Sequence, residues 1–320
     1  MKKLKLNSIF ISFLPILVLI PLFYQLILNL HIGGISLFGE FISSAIYPKI
    51  NNEILNSVLI RIYETLFLAT LSWLISIVLG IIFGILSSNI FYKFIKLPIF
   101  IKVTLRIILN IIRSFHELIW CLILMQIFGI SKSIGVLSIC IPFTAINAKV
   151  IREQLELISS KTIVAITQIK GNNFASLITL IWSPIYKTLK NFGIYRFECS
   201  IRSIALLGLF GIGGIGTSIF LSFQAFNFRE MWTYIFSLAI LIKISSTLLK
   251  RFRINEKFLL FFFTFSIFLI LFLVSINLNL FFSDFILKLK ISNLSLFLNS
   301  IYFPNNYFQA IYETITLSIF

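Results

Sequence analysis

Long apolar runs recur along this chain, and short polar or basic tracts separate them. The first run reads "SIFISFLPILVLIPLFYQLILNL" (8–30). As an α-helix it is long enough to cross roughly 30 Å of hydrocarbon, and it is too long for the core of a signal peptide. We interpret it as a retained membrane span. The same pattern predicts spanning helices over about 9–30, 62–87, 106–128, 134–152, 196–222 and 231–249.

Composition supports this interpretation. Of the 320 residues, 59% are hydrophobic and 12% are charged, whereas soluble domains are nearer about half apolar and a quarter charged. The predicted fold class is therefore all-α: a polytopic transmembrane helical bundle with about six helices plus the start of a repeated unit.

Basic residues account for the net charge of +16, and they lie beside the apolar runs. The tracts are "MKKLK" (1–5), "YKFIKLPIFIK" (92–102), the segment 149–196 and "KRFRINEK" (250–257). By the positive-inside rule they face the cytoplasm. This predicts a multi-pass protein of the cell (inner) membrane, with a cytoplasmic N-terminus. Binding to nucleic acid would need a soluble basic face, so we expect the lipid bilayer as partner and no nucleic acid.

Chemistry-bearing residues are sparse. Cys121, Cys140 and Cys199 lie in or beside predicted spans without C-x-x-C spacing, which favours buried apolar side chains over a disulfide or metal site. The histidines, His31 and His116, lie in different segments. The sequence predicts no catalytic residue, no metal site and no cofactor.

A short repeat suggests the domain organisation. "IYET" occurs at 62–65 and again at 311–314, and each copy follows a basic tract, an apolar run and a polar segment in the same order. Such order indicates an internal repeat. We divide the chain into one transmembrane unit over 1–250 and the beginning of a second, truncated unit over 251–320. The expectation is a truncated or split chain, or part of a longer tandem protein.

The internal segment 153–195 is amphipathic and basic, so it is either a solvated loop on anionic lipid or a docking element. Its G-x9-I-x-x-P spacing resembles the second half of the coupling motif of ABC importer permeases, E-A-A-x3-G-x9-I-x-L-P. In the first half, Ala165 stands where the motif has Glu, and in the second half Ser183 replaces the Leu. The resemblance implies that residues 160–185 dock a cytoplasmic ATPase. The implied coupling residues are Ala165, Lys170, Gly171, Ile181 and Pro184.

Two further stretches narrow the resemblance. "RSFHELIWCLILMQIFGISKSIGVL" (113–137) and "YRFECSIRSIALLGLFGIGGIG" (195–216) are similar to segments of phosphonate importer permeases, and the likeness covers about 60–250. It implies a type I ABC importer permease of the phosphonate, phosphite or phosphate branch, without enzymatic activity of its own. The implied partners are two cytoplasmic ABC ATPase subunits, an external substrate-binding protein and a second permease unit, as a homodimer or a tandem repeat.

"GIGGIG" (211–216) also fits the G-x-G-x-x-G pattern of dinucleotide loops. That loop requires a preceding strand and an acidic residue about 20 positions later, and here an apolar helix precedes it. In a membrane helix, clustered glycines allow close helix packing and local unwinding. We therefore predict a packing seam or a moving gate beside the translocation path. The residues are Gly211, Gly213, Gly214 and Gly216.

Five ionisable residues at or within predicted spans form the other candidate path or gate: Arg113, His116, Glu117, Glu198 and Arg202. Such groups are costly in a bilayer unless they are paired or face water. A spacing of four predicts the pairs Arg113–Glu117 and Glu198–Arg202. Either these pairs hold two helices together, or they line a path for an anion, since the fork of an Arg matches an oxyanion.

Two other functions stay open at this point. An ion-coupled secondary transporter or channel would use a carboxylate within a helix and no ATPase. An inactive permease remnant would also account for the departures from the coupling motif.

Overall fold

The computed structural model describes residues 34–91, 98–158 and 189–254, together with positions 20, 21, 24, 182 and 186. The predicted span at 9–30 and the second unit at 251–320 lie almost entirely outside the described residues. So does the coupling segment, including all five of its candidate residues: Ala165, Lys170, Gly171, Ile181 and Pro184.

The described part of the chain is helical and contains no strand. The helices are α1 (Gly34–Ile46), α2 (Asn52–Leu86), α3 (Ile99–Ser114), α4 (Glu117–Phe128), α5 (Lys132–Glu156), α6 (Ile194–Gly208), α7 (Ile215–Gln224) and α8 (Phe228–Ile254). A π-helical turn, Leu189–Gly193, leads directly into α6.

Three of these helices are long and apolar enough to cross a membrane: α2, α5 and the Phe228–Arg251 part of α8. They confirm the predicted spans at 62–87, 134–152 and 231–249, although α2 begins ten residues earlier than predicted. A fourth span results if α3 and α4 are counted together. The chain is therefore a multi-pass membrane protein.

Two predicted spans are not single helices. The helix predicted over 106–128 is wrong, because α3 and α4 meet at an angle of 93°. Phe115 and His116 between them have extended backbone. The helix predicted over 196–222 is divided into α6 and α7 by residues 209–214. Neither α6, at 15 residues, nor α7, at 10, reaches the roughly 20 residues that a span requires.

Helices α2 and α5 form the centre of the bundle. Small residues let them approach closely: a Cβ added to Gly80 would lie 2.5 Å from the Cβ of Asn147. The Asn147 side chain then donates to the Ser76 carbonyl across the contact, at 3.1 Å. Close packing and interhelical hydrogen bonds of this kind hold membrane helices together, because lipid provides no hydrophobic drive between them.

Helix α6 packs against the same centre through Trp73 of α2. The Trp73 ring lies 5.3 Å from the ring of Phe197, and its indole N–H donates to the Gly193 carbonyl at 2.7 Å. This arrangement brings the residues after α6 against the first half of α2, where the candidate site lies.

Candidate functional site

Residues 209–214, which we call the glycine turn, separate α6 from α7. Gly211, Gly213 and Gly214 have positive φ angles of 84°, 126° and 76°, which residues with a side chain rarely adopt. The glycines of "GIGGIG" therefore shape a turn inside a helical membrane segment. Helix α6 leads directly into the motif, in the place where a dinucleotide loop has a strand.

The glycine turn docks onto α2 at the "IYET" sequence. The Ile215 N–H donates to the Thr65 hydroxyl oxygen at 2.9 Å, and that hydroxyl donates to the Arg61 carbonyl at 2.8 Å. A Cβ on Gly213 would lie 2.9 Å from the Glu64 carboxylate. The two motifs, 150 residues apart, thus form one contact.

Glu64 also joins two cations. Its carboxylate oxygens lie 2.9 Å from Arg61 Nη1 and 2.7 Å from Lys132 Nζ. The Glu64 side chain is 12% exposed, whereas that of Lys132 is 60% exposed. We call Arg61, Glu64 and Lys132 the Glu64 cluster. Because it contains two cations and one anion, the cluster carries a net positive charge.

A cleft of about 1160 Å³ lies between the Glu64 cluster and the glycine turn. Gly211 and Gly213 line it. Its hydroxyl-bearing lining residues, apart from Tyr63 and Tyr234, are Ser57, Ser131, Ser133, Thr217, Ser218 and Ser222. Cationic groups together with hydroxyl donors provide the chemistry that binds an oxyanion.

The break between α3 and α4 is stabilised differently. His116 caps α4 by accepting from the Leu118 N–H at 3.3 Å. Glu117 accepts a hydrogen bond of 2.6 Å from the Ser203 hydroxyl, which links α4 to α6. The His116 ring lies 3.5 Å from the same carboxylate.

Of the two ion pairs predicted from spacing, one is confirmed. Glu198 and Arg202 pair along α6. The predicted Arg113–Glu117 pair is wrong, because α3 ends at Ser114 and the two residues lie on different helices. Arg113 instead donates to Asn110, at 3.1 Å.

The candidate residues therefore separate into two places. Gly211 and Gly213 line the cleft, Gly214 packs on Thr65, and Gly216 packs on α6. Arg113, His116, Glu117, Glu198 and Arg202 do not line this cleft. A role for any of these nine residues in a translocation path stays a prediction.

Sequence reasoning missed the Glu64 cluster. The available signal was the recurrence of "IYET", which we used only to divide the chain into units. Lys132 gave no signal of its own, because it is a single Lys in the short turn "GISKS" (129–133) and belongs to no recognisable motif.

Arg196 was also missed. Its side chain is buried, with its guanidinium carbon 3.7 Å from the centre of the Phe143 ring. A cation over an aromatic face is stabilised by the quadrupole of the ring. Among the described residues, no group of three or more His, Cys, Asp or Glu side chains could hold a metal ion.

No family model matches the chain. It is 23% identical over 117 residues to PhnE2 of Escherichia coli (strain K12), which carries the name of a cryptic phosphonate transport system permease; the alignment covers 37% of this chain and 96% of that protein. It is 25% identical over 126 residues to the phosphite transport system permease protein PtxC of Stutzerimonas stutzeri, covering 39% of this chain and 46% of that protein. The chain thus spans less than half of this second relative.

The structure is similar to a chain of the MetNI methionine ABC transporter, solved in inward-facing conformations. The TM-score is 0.56 and the identity 17%, over 64% of this chain and 98% of that chain. The fold is that of a type I ABC importer permease, as predicted. The resemblance to phosphonate-type permeases is confirmed by relatives with low but consistent identity.

Proposed function

We propose that the chain is the membrane-spanning permease subunit of an ATP-driven ABC importer for phosphonate, or for phosphite- or phosphate-like oxyanions. One observation carries the proposal: its helices follow the type I importer fold over 98% of a solved transporter chain. The names of its sequence relatives support phosphorus oxyanions as the substrate class. In this function the chain forms the path, and a separate subunit hydrolyses ATP.

The orientation follows from the two polar ends of the bundle. At one end, Arg106 donates to the Ser87 carbonyl at 2.7 Å and pairs with Glu156, and this end adjoins the basic tract 92–102. At the other end lie Lys132 and the start of α2. The positive-inside rule makes the first end cytoplasmic. The Glu64 cluster then lies towards the outside of a cell (inner) membrane, and the N-terminus is cytoplasmic.

The partners follow from this orientation. Residues 160–185 lie on the cytoplasmic side and dock the ATPase, with Gly171 at the contact. An external binding protein delivers the substrate to the outer end of the bundle, beside the Glu64 cluster. A second permease unit, from a homodimer or a tandem repeat, completes the path, to which Arg202 and His116 contribute exposed side chains.

The function can be tested in proteoliposomes that contain the full chain with its ATPase and binding protein. Labelled methylphosphonate and phosphate are offered outside, with ATP, a non-hydrolysable analogue or a proton gradient as the energy source. We expect uptake with ATP alone. Uptake driven by the proton gradient without ATP would instead show a secondary transporter, and no uptake under any condition would show an inactive remnant.

A pair of variants tests the coupling segment in the same assay. Gly171→Glu places a charged side chain at the proposed ATPase contact, and we expect it to abolish both ATPase co-purification and uptake. Gly39→Glu is the control, because Gly39 has no neighbour within 4 Å of an added Cβ. Retained ATPase binding in Gly171→Glu would argue against docking at this segment.

A further inference from the structure

We propose that the cleft between the Glu64 cluster and the glycine turn is an oxyanion site of the permease itself. It would take a small tetrahedral phosphorus oxyanion at the outer end of the path, after release from the binding protein. The inference rests on the proposed function for its substrate class and for the side of the membrane. Its structural basis is the charge, the donors and the accessibility of the cleft.

The charge of the cleft is positive. Glu64 pairs with Arg61 at 2.9 Å and with Lys132 at 2.7 Å, and all three residues line the cleft. Each cation uses only one of its several N–H donors in these contacts. Because both residues line the cleft, a remaining donor can form a charge-assisted hydrogen bond to an oxyanion there.

Hydroxyl donors add to the cations. Ser131 accepts from the Ile134 N–H, which leaves its own proton available, whereas Ser57 and Thr217 already donate to the carbonyls of Glu53 and Gly214. The cleft therefore presents both cationic and neutral donors. A tetrahedral anion, with three or four oxygens around one atom, can use several of them at once.

The Glu64 carboxylate limits the strength of the site. It lines the same cleft, so it repels a bound anion while it holds the two cations. A site on a transport path must bind strongly enough to be entered and weakly enough to be left. The two cations favour entry of the anion, and the carboxylate between them favours its release. Two cations without the carboxylate would retain the anion.

The first test uses the wild-type chain in its membrane complex with the ATPase, in lipid nanodiscs without the binding protein. A membrane-impermeant amine-acetylating reagent is applied with inorganic phosphate or with chloride at equal ionic strength, and mass spectrometry follows Lys132 and Lys49. Lys49 is the internal control, because it is a similarly exposed lysine paired with Glu230 at 2.8 Å, and it does not line the cleft. We expect phosphate to slow acetylation of Lys132 several-fold and to leave Lys49 unchanged.

Two results would overturn the site: equal labelling of Lys132 in phosphate and in chloride, or equal protection of both lysines by phosphate. The first excludes a preference of the cleft for phosphate, and the second shows an effect that is not confined to the cleft. Since this test requires no substitution, it does not depend on whether a variant folds.

Variants provide the second test, by equilibrium binding of labelled phosphate to the same complex. Arg61→Gln and Lys132→Gln should each weaken binding roughly tenfold or more, the size expected for a lost hydrogen bond to a charged group. Lys49→Gln should bind as the wild type does. Unchanged binding in both cleft variants would overturn the proposal.

ATP-driven uptake by the same complex, reconstituted with its binding protein into proteoliposomes, separates the two proposals. If the wild type transports but phosphate does not protect Lys132, the cleft site is wrong and the proposed function stands. If phosphate protects Lys132 but ATP drives no uptake, the cleft binds anions and the importer function is wrong.

Discussion

The two breaks in the membrane helices are built in opposite ways. The glycine turn needs positive φ at three glycines and is held by Thr65 on a distant helix. The break at Phe115 and His116 uses ordinary extended backbone, with φ of −91° and −66°, and a cap from its own residue. One geometry depends on residue type and long-range contact, and the other mainly on local contacts.

This difference bears on function. The glycine turn contacts α2 through the hydrogen bond from Ile215 to Thr65 and the close approach of Gly213 to Glu64, so a change in its shape would disrupt contacts between helices. A break with unstrained dihedrals and one hydrogen bond to α6, from Ser203 to Glu117, can change its angle at a lower cost. Substitutions at the two breaks should therefore differ in effect.

Gly216→Ala should have the largest effect. An added Cβ would overlap the Ala205 carbonyl oxygen and lie 2.9 Å from Gly208 Cα. Because backbone atoms cannot rotate away, we expect a loss of about 3 kcal/mol in unfolding free energy, measured by denaturant titration in mixed micelles. Gly39→Ala is the control, and as a helical glycine with open space around it it should be neutral or slightly stabilising. Equal stability of the two variants would show that α6 and α7 can move apart.

Gly214→Ala should follow, with a loss of about 2 kcal/mol from its backbone conformation. Gly214 has φ 76° and ψ −167°, and an added Cβ would lie 2.7 Å from the Thr65 hydroxyl. The same titration measures it. A variant as stable as the wild type would mean that the turn is not restricted to glycine, which would remove the contrast between the breaks.

Thr65→Val should cost about 1.5 kcal/mol, because the buried Ile215 N–H loses its acceptor without a change in side-chain shape. Thr144→Val is a matched control: the Thr144 hydroxyl oxygen is buried and makes no hydrogen bond within the described structure. Its replacement should be neutral or stabilising. If Thr65→Val is as mild as Thr144→Val, the docking bond does not hold the turn.

His116→Ala should cost about 1 kcal/mol or less, the usual value for a lost N-cap. His116→Ser should restore most of it, since Ser caps a helix well. Thermal unfolding in detergent can follow both variants. A loss as large as that of Gly214→Ala would show that this break is as constrained as the glycine turn.

Arg202→Ala should change stability least, by less than about 0.5 kcal/mol, because exposed ion pairs contribute little. The Arg202 side chain is 53% exposed. If it lines the path, uptake in proteoliposomes should be abolished while the complex still assembles. Lys49→Ala, which breaks another exposed pair, should leave uptake unchanged. Normal uptake by Arg202→Ala would reject a gating role for this residue.

The sequence was sufficient for the spans at α2, α5 and α8, since continuous apolar length alone determines them. The glycine break was also readable, because five of the chain's 14 glycines fall in 208–216. The break at His116 could not be predicted from the sequence, because neither glycine nor proline marks it. The contact of Glu64 with Gly213 and Lys132 could not be predicted either, since it depends on how three segments pack. The Arg113–Glu117 prediction failed because it assumed one continuous helix across the unmarked break at His116.

The indole of Trp73 connects α2 to the segment that precedes α6. It donates a hydrogen bond to the carbonyl of Gly193, the last residue before α6. The chain before Gly193 continues back to residues 160–185. Glu64 lies on the same helix, α2, about 14 Å from Trp73 along the helix axis at 1.5 Å per residue. If Gly193 moves further than this hydrogen bond can lengthen, either the hydrogen bond breaks or α2 moves with Gly193. A movement of the chain before Gly193 would then reach Glu64 through α2 itself, without an intervening loop.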